Sequence, residues 1–265
     1  MKRSKLYILI TIVITSYLHL ACASNAATEN LQAGPSTEQL SAARSSAEKL
    51  FAGRENLNNL REAIKLLGAV RDPNSRNYDV EWTFAKYNYF LGRHSADESE
   101  SDQAFTTGRD AAKIAANMQP DRPDGLFWYG ANLGELCKKS PVTVGLRNVG
   151  DVREAMKKVV EIDPGYQGAA AYDVLGQIEL ATRIKDGTAE KAVEYLQAGL
   201  KLESENSNLY VHLAQAYLAL NKDAEAKRQL DKVLAMRPNP DYLPEHHESV
   251  DLAKKLLSTK FQECC

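Results

Sequence analysis

The alternation of large and small apolar residues over residues 208–238 is typical of two antiparallel helices that pack closely. Counted from Ser207 as position 1 of a repeat of about 34 residues, small residues fall at positions 8 and 20, where two backbones must cross. These small residues are Ala214 and Ala226, and the large residues around them are Tyr210, Leu213, Tyr217 and Leu230. One such helix pair cannot bury its own apolar faces, so the pattern predicts neighbouring pairs.

Earlier segments repeat this plan. A large aromatic residue at position 4 aligns four units, on Trp82, Trp128, Tyr172 and Tyr210. Residues 36–39 fit a capping box that opens a first helix, and residues 244–260 have one apolar and one charged face, as a closing helix needs. We therefore expect an all-α, tetratricopeptide-like (TPR) helical-repeat superhelix over residues 36–265, with about five helix pairs plus a C-terminal capping helix and no sheet.

The first helix of each pair is expected to line a concave groove through positions 2, 5, 9 and 12. In the units aligned on Trp82 and Trp128 these positions are mostly apolar or aromatic, and such a groove usually marks a ligand or partner site. The candidate groove residues are Tyr87, Phe90, Tyr129, Leu133 and Leu136, with Asn132 as an amide available to grip a chain terminus. The alternative is that Tyr87, Phe90, Tyr129 and Leu133 are core residues of a tightly wound superhelix.

The same register makes the later half of the groove mixed in polarity. Its inward positions are Ala170, Asp173, Gln177, Leu180, Asn208, Val211, Gln215 and Leu218. Trp82 and Trp128 are expected to hold the repeats together rather than to touch a ligand. Two stretches of extra residues, 93–102 and 138–150, are expected to be loops, either variable surface or functional.

The N-terminus has the pattern of a bacterial export signal over residues 1–23. A basic start precedes an apolar run at residues 6–20 that is too short for a transmembrane span. Two processing sites compete, because Leu20-Ala21-Cys22 resembles a lipoprotein box and Ala21-Cys22-Ala23 suits ordinary signal peptidase. We expect lipidation of Cys22 and a flexible tether over residues 24–35, which predicts a periplasmic protein anchored to a membrane by lipid. The alternative is a secreted or soluble periplasmic protein.

Composition, charge and motifs indicate which partners, metal sites and reactions are not expected. A formal net charge of −2 gives no reason to expect nucleic acid as a partner. The histidines in Glu245-His246-His247-Glu248 lack the i, i+4 pairing of a zinc helix, so no metal site is expected. No glycine-rich phosphate loop precedes a helix, so neither a cofactor nor catalysis is expected, and an enzyme would require a reactive Cys137. Whether Cys137, Cys264 or Cys265 forms a disulfide stays open.

Residues 122–134, RPDGLFWYGANLG, resemble the T-component family associated with tripartite ATP-independent periplasmic (TRAP) transporters. That family shows a similar Pro, an aromatic pair and an Ala-Asn-Leu-Gly stretch. The similarity covers about residues 57–234 and includes Met156, the turn at residues 163–166, and Leu175-Gly176. The resemblance implies an exported lipoprotein with a helical-repeat fold that associates with the solute-binding P component and hands over an apolar ligand through a pore.

Two functions are consistent with these patterns. The leading hypothesis is a membrane-tethered TPR lipoprotein of a TRAP-type transporter that binds the P component and an apolar small molecule in its groove. The alternative is a TPR scaffold for an envelope protein complex, with no small-molecule ligand, whose groove takes a partner helix or an extended peptide. The oligomeric state stays open, a homo-oligomer included.

Overall fold

The computed structural model describes residues 34–239 and 242–261, which form eleven α-helices and no strand. None of these helices is long and apolar enough to cross a membrane. The helices confirm the prediction of five pairs and a closing helix. They are α1 (Thr37–Ala52), α2 (Leu57–Ala69), α3 (Tyr78–His94), α4 (Glu98–Met118), α5 (Pro123–Lys139), α6 (Leu146–Ile162), α7 (Tyr166–Ala181), α8 (Ala189–Leu202), α9 (Ser207–Ala219), α10 (Asp223–Ala235) and α11 (Leu243–Lys260). Three of the predicted features, the export signal, Cys22 and the pair Cys264 and Cys265, lie outside the described residues, as does the predicted tether up to residue 33.

Local sequence signals explain where several helices begin. The Ser36 hydroxyl accepts a hydrogen bond from the Gln39 amide while the Gln39 side chain accepts one from the Ser36 amide, which is the predicted capping box of α1. The side-chain oxygens of Asn77 and Asp97 accept hydrogen bonds from amides in the first turns of α3 and α4, and Pro123 occupies the first turn of α5.

The unit at residues 208–238 folds as the helix pair α9–α10. Its small residues Ala214 and Ala226 are completely buried, as are Leu230 and Val233. These side chains form one apolar cluster with Tyr210 and with residues of α11. The cluster accounts for the predicted pairing, because methyl groups at the crossing point let the two backbones approach.

The two stretches of extra residues are mostly helical, and the expectation of long loops was wrong. The Asp97 carboxylate accepts hydrogen bonds from the Ser99 and Glu100 amides, so α4 begins shortly after α3 ends. In the second stretch, Pro141–Gly145 forms a π-helical turn that runs directly into α6. Local hydrogen bonds therefore extend the helices through both stretches.

A buried carboxylate fastens the second helix pair to the first. Glu81 of α3 is fully buried and receives two guanidinium groups, from Arg71 at 2.6 Å and Arg76 at 2.8 Å. Arg71 also lies over the Phe84 ring, 4.2 Å from its centroid. The two ion pairs hold the α2–α3 connection, which carries both arginines, against α3.

Helix α11 does more than cap the last unit. Its C-terminal half packs on the apolar cluster of α9 and α10, whereas its first turns reach back across the concave side of the superhelix. There Glu245 pairs with Arg54 of the α1–α2 connection at 3.6 Å, and Glu248 pairs with Arg93 and His94 of α3. The last helix thus meets the first two units through long polar side chains.

Candidate functional site

The concave side encloses a cavity of about 860 Å³. Helices α3, α5, α7 and α9 provide its walls, and the first turns of α11 close the remaining side. This volume lies within the range of about 300–1,000 Å³ that is usual for small-molecule sites. The cavity is the concave surface that the repeat pattern predicts, made deeper by α11.

One wall of the cavity is aromatic. Trp128 of α5 lies at its centre, with ring centroids of Tyr89, Phe90 and Phe127 at 5.6, 6.2 and 5.0 Å. Val174 and Ile178 of α7 continue this wall. Since Trp128 retains only 3% of its accessible surface while it borders the cavity, the wall is a rigid apolar surface.

Another part of the cavity wall is polar. Asp173 of α7 accepts a hydrogen bond from Gln177 at 2.7 Å and lies 2.6 Å from Nδ1 of His212, which belongs to α9. The Ser249 hydroxyl of α11 donates to Oδ1 of Asn208 at 2.6 Å. Asp173 is the buried charge of this wall, and its partners come from two different helices. The cavity lining is therefore amphipathic.

Charged residues of α3, α5 and α11 meet at one end of the cavity. Arg93 contacts Glu135 at 3.5 Å and also pairs with Glu248. Burial raises the pKa of the nearby Tyr89 hydroxyl, and the charges of Glu135 and Glu248 act in the same direction while Arg93 opposes them. Tyr89 therefore remains a neutral hydroxyl beside the aromatic wall.

The start of α7 contains a left-handed turn that borders the cavity. Gln167, Gly168 and Ala169 have φ values of 50°, 65° and 60°, a conformation that residues other than Gly rarely adopt. The carbonyl of Gly168 accepts a hydrogen bond of 2.7 Å from the side chain of Asn206, which holds the turn against the start of α9. Gln167 and Gly168 thereby present backbone and amide groups to the cavity.

Asp124, in the stretch RPDGLFWYGANLG, supports both the left-handed turn and the aromatic wall. It accepts hydrogen bonds from the Tyr78 hydroxyl at 2.9 Å and the Tyr166 hydroxyl at 3.0 Å, and it pairs with Arg122 at 3.2 Å. Burial and the charge of Asp124 raise the pKa of Tyr166, so this hydroxyl stays a donor. One carboxylate therefore links α3, α5 and α7 behind the aromatic wall.

The predicted groove residues occupy different environments. Phe90 lies on the cavity wall, and the other five do not. Tyr87, Asn132 and Leu133 are buried between helices, whereas Tyr129 and Leu136 are partly exposed. The Asn132 amide donates to the carbonyls of Ala85 and Trp128 at 3.3 and 2.8 Å, so it joins α5 to α3.

The register explains this distribution in α5. The residues that face the cavity follow the spacing of Phe127, Ala131, Gly134 and Lys138. Tyr129 lies on another side of the helix, where the charges that act on it belong to Asp151 of α6 and Arg109 of α4. The aromatic residue at position 4 is thus better taken as Tyr129 than Trp128, and the inward positions shift by one residue.

In α7 and α9 the sequence register agrees with the structure more closely. Five of the predicted inward positions border the cavity, namely Ala170, Asp173, Gln177, Asn208 and Val211. Sequence reasoning missed Arg93, His212 and the contribution of α11, and it assigned Trp128 to repeat packing alone. The spacing of His212 four residues after Asn208 places both on one helical face and was a usable signal.

Two further candidates concern chemistry. Cys137 has a free thiol that is partly buried, and burial together with the charge of Asp151 raises its pKa to about 11. The thiol is therefore protonated at neutral pH and a weak nucleophile. His246 and His247 lie at the start of α11, and no group of three or more potential metal ligands occurs within residues 34–239 and 242–261.

Comparisons with known proteins give a family and a fold. Residues 86–257 match the family model described as the TRAP transporter T-component. No match was found among curated protein sequences. The TPR protein TTC0263 of Thermus thermophilus has a TM-score of 0.57 at 17% identity, covering 79% of this chain and 98% of its own. A MamA structure has a TM-score of 0.50 at 11% identity, covering 86% of this chain and 98% of its own. At such identities the two structures show the helical-repeat fold alone.

Proposed function

The chain belongs to the TRAP transporter T-component family, and from this premise we propose that it holds an apolar small molecule while associating with the solute-binding P component. It would do so as a periplasmic protein anchored to a membrane by lipid on Cys22. The role is one of binding rather than catalysis. The family match over residues 86–257 supports this proposal, and so does the sequence pattern of an export signal at the N-terminus.

The cavity is the observation that carries the ligand-binding part. All of its aromatic wall lies within the family-matched residues, and its size suits a small molecule. Apolar surface that leaves water contributes about 25 cal/mol per Å², so a ligand that covers Tyr89, Phe90 and Trp128 gains affinity mainly by burial. The polar wall around Asp173 and His212 orients whatever polar group the ligand carries.

The predicted site residues divide into two roles under this proposal. Phe90 contacts the ligand directly. Tyr87, Asn132 and Leu133 act from behind, since their packing and hydrogen bonds set the distance between α3 and α5. Tyr129 and Leu136 keep the other side of α5 in place.

Native mass spectrometry tests the proposal. The full chain with Cys22→Ser, exported so that its N-terminal segment is processed, is purified and examined for a bound molecule. We expect a co-purifying apolar compound that denaturing extraction releases. Val174→Trp, which fills the cavity from α7, should reduce its occupancy at least tenfold. Val193→Trp, the same change at a partly buried position of α8 that does not border the cavity, should leave it unchanged.

The partner is tested separately. Purified P component should associate with the exported protein in size-exclusion chromatography, whether or not the cavity is filled by Val174→Trp. An empty cavity in the parent protein, combined with capture of a different envelope protein, would favour the scaffold function.

A further inference from the structure

Three large aliphatic side chains are exposed around the cavity mouth. Val142 and Leu146 retain 75% and 63% of their accessible surface, and Ile184 is fully exposed. Val142 belongs to the π-helical turn, Leu146 begins α6, and Ile184 lies in the connection between α7 and α8. We call these three residues the apolar rim. A contiguous exposed apolar patch bordered by polar residues marks a surface that contacts a protein, a membrane or a ligand.

The apolar rim is one surface, although its residues come from distant parts of the sequence. Arg153 of α6 pairs with Asp186 at 3.4 Å and contacts the Thr182 hydroxyl at 3.3 Å, which fixes the α7–α8 connection beside α6. All three rim residues border the cavity. The exposed apolar surface is therefore continuous with the aromatic wall inside.

Basic side chains surround the apolar rim. Residues 138–147 and 182–187 contain a single carboxylate, Asp186, which Arg153 offsets. Their five exposed basic residues are Lys138, Lys139, Arg147, Arg183 and Lys185. Lys138 and Lys139 pair with Glu135 and Asp102, whereas Arg147, Arg183 and Lys185 form no ion pair within the described part of the chain. Exposed apolar side chains flanked by such residues are typical of proteins that bind anionic lipid surfaces.

We propose that the apolar rim docks this protein onto an anionic lipid bilayer, with the cavity mouth facing the acyl chains. A protein partner fits these residues less well, because lysine is depleted at protein–protein interfaces and is abundant here. Docking itself is independent of the cavity ligand. That an apolar molecule passes between bilayer and cavity through this mouth rests on the proposed function.

Vesicle flotation tests the docking. The exported Cys22→Ser chain, which has no lipid anchor, is mixed with phosphatidylcholine vesicles that contain or lack about 30 mol% phosphatidylglycerol, an anionic content at which basic side chains bind well. We expect binding to the anionic vesicles, and at least tenfold weaker partition for Leu146→Asp and Ile184→Asp. Leu202→Asp and Leu234→Asp change exposed leucines away from the apolar rim and should partition as the parent does. The double variant Arg147→Gln, Lys185→Gln should lose most of the preference for anionic vesicles.

Circular dichroism confirms that each variant is folded. Equal partition of all variants, or no binding by the parent chain, would overturn the proposal. The proposal would also be overturned if Ile184→Asp left vesicle binding intact and weakened association with the P component. The apolar rim would then be a protein interface. Cavity occupancy, measured by native mass spectrometry on the parent chain, reports separately on the proposed function: an empty cavity in a chain that still binds anionic vesicles would contradict the proposed function and leave the docking proposal standing.

Discussion

At the scale of a single residue, the Asn132 side chain contacts three helices, α3, α4 and α5. Its amide nitrogen donates to two carbonyls, and its oxygen lies against Gly108 of α4, where an added Cβ atom would overlap it. An alanine at position 108 would have to displace this amide. The close contact between Asn132 and Gly108 explains why a polar residue occupies the packed side of α5. The sequence alone could not show whether Asn132 is exposed in the groove or buried between helices.

The partly buried thiol of Cys137 gives a prediction about its rate of alkylation. Because burial raises its pKa to about 11, alkylation by iodoacetamide at pH 8 should be on the order of a hundredfold slower than for the same cysteine in the urea-unfolded chain. Peptide-resolved mass spectrometry separates Cys137 from the other cysteines. Alkylation of the folded protein at the rate of an ordinary exposed thiol would contradict the assignment and would reopen a catalytic role.

The sequence pattern identified which residues share a helix face, but it did not establish in every helix which face borders the cavity. Phe90 and Asp173 were placed correctly on the concave side, since helical spacing identifies a face once the register is known. The register itself depends on which of two adjacent aromatics, Trp128 or Tyr129, packs on the partner helix. Adjacent residues differ by about 100° around a helix, so one wrong choice turns the whole face away.

At the scale of elements, the left-handed turn at the start of α7 leads to a prediction about two glycine-to-alanine substitutions. They should change the free energy of unfolding in opposite directions. Gly168→Ala should destabilise the protein by about 1 kcal/mol, because alanine resists a φ of 65° even though the added Cβ meets only ordinary contacts. Gly150→Ala, at an exposed position in α6 with nothing near its Cβ, should stabilise it by about 0.5–1 kcal/mol. Urea denaturation measures both changes. Equal effects of the two substitutions would show that the turn does not form.

Most helices follow from caps and spacing in the sequence, and this turn does not. The capping box at Ser36 and the small residues of α9 and α10 act locally, so pattern analysis finds them. The turn at Gln167 and Ala169 is held by contacts from residues far away in the sequence, Asp124 and Asn206. Tertiary contacts of this kind override the local preference for a right-handed helix, and they have no periodic signature.

At the scale of the whole molecule, the docking of α11 should depend on pH through His246. Burial is the main cause that lowers the pKa of His246 below its ordinary value of 6.5, and His247 adds to the effect. The unfolded chain therefore binds a proton more readily than the folded one. The contribution to stability is complete above pH 6.5 and is lost as the pH falls through the lower pKa of the folded state.

Urea midpoints measured between about pH 8 and pH 5 test this dependence. His246→Gln should flatten the fall in stability below pH 6.5, whereas His247→Gln, at the exposed neighbouring position, should keep most of it. The same slope in the parent and in His246→Gln would assign the effect to other groups.

The bridge from Glu245 to Arg54 changes how a repeat protein of this length can open. In an open array, the first and last helices fray independently, because each repeat touches only its neighbours. Here the closing helix is tied to the connection after α1, so loosening either terminus removes support from the other. Amide hydrogen exchange in α1 and α11 should consequently be coupled, so that Glu245→Gln, which removes the ion pair, speeds exchange in both helices.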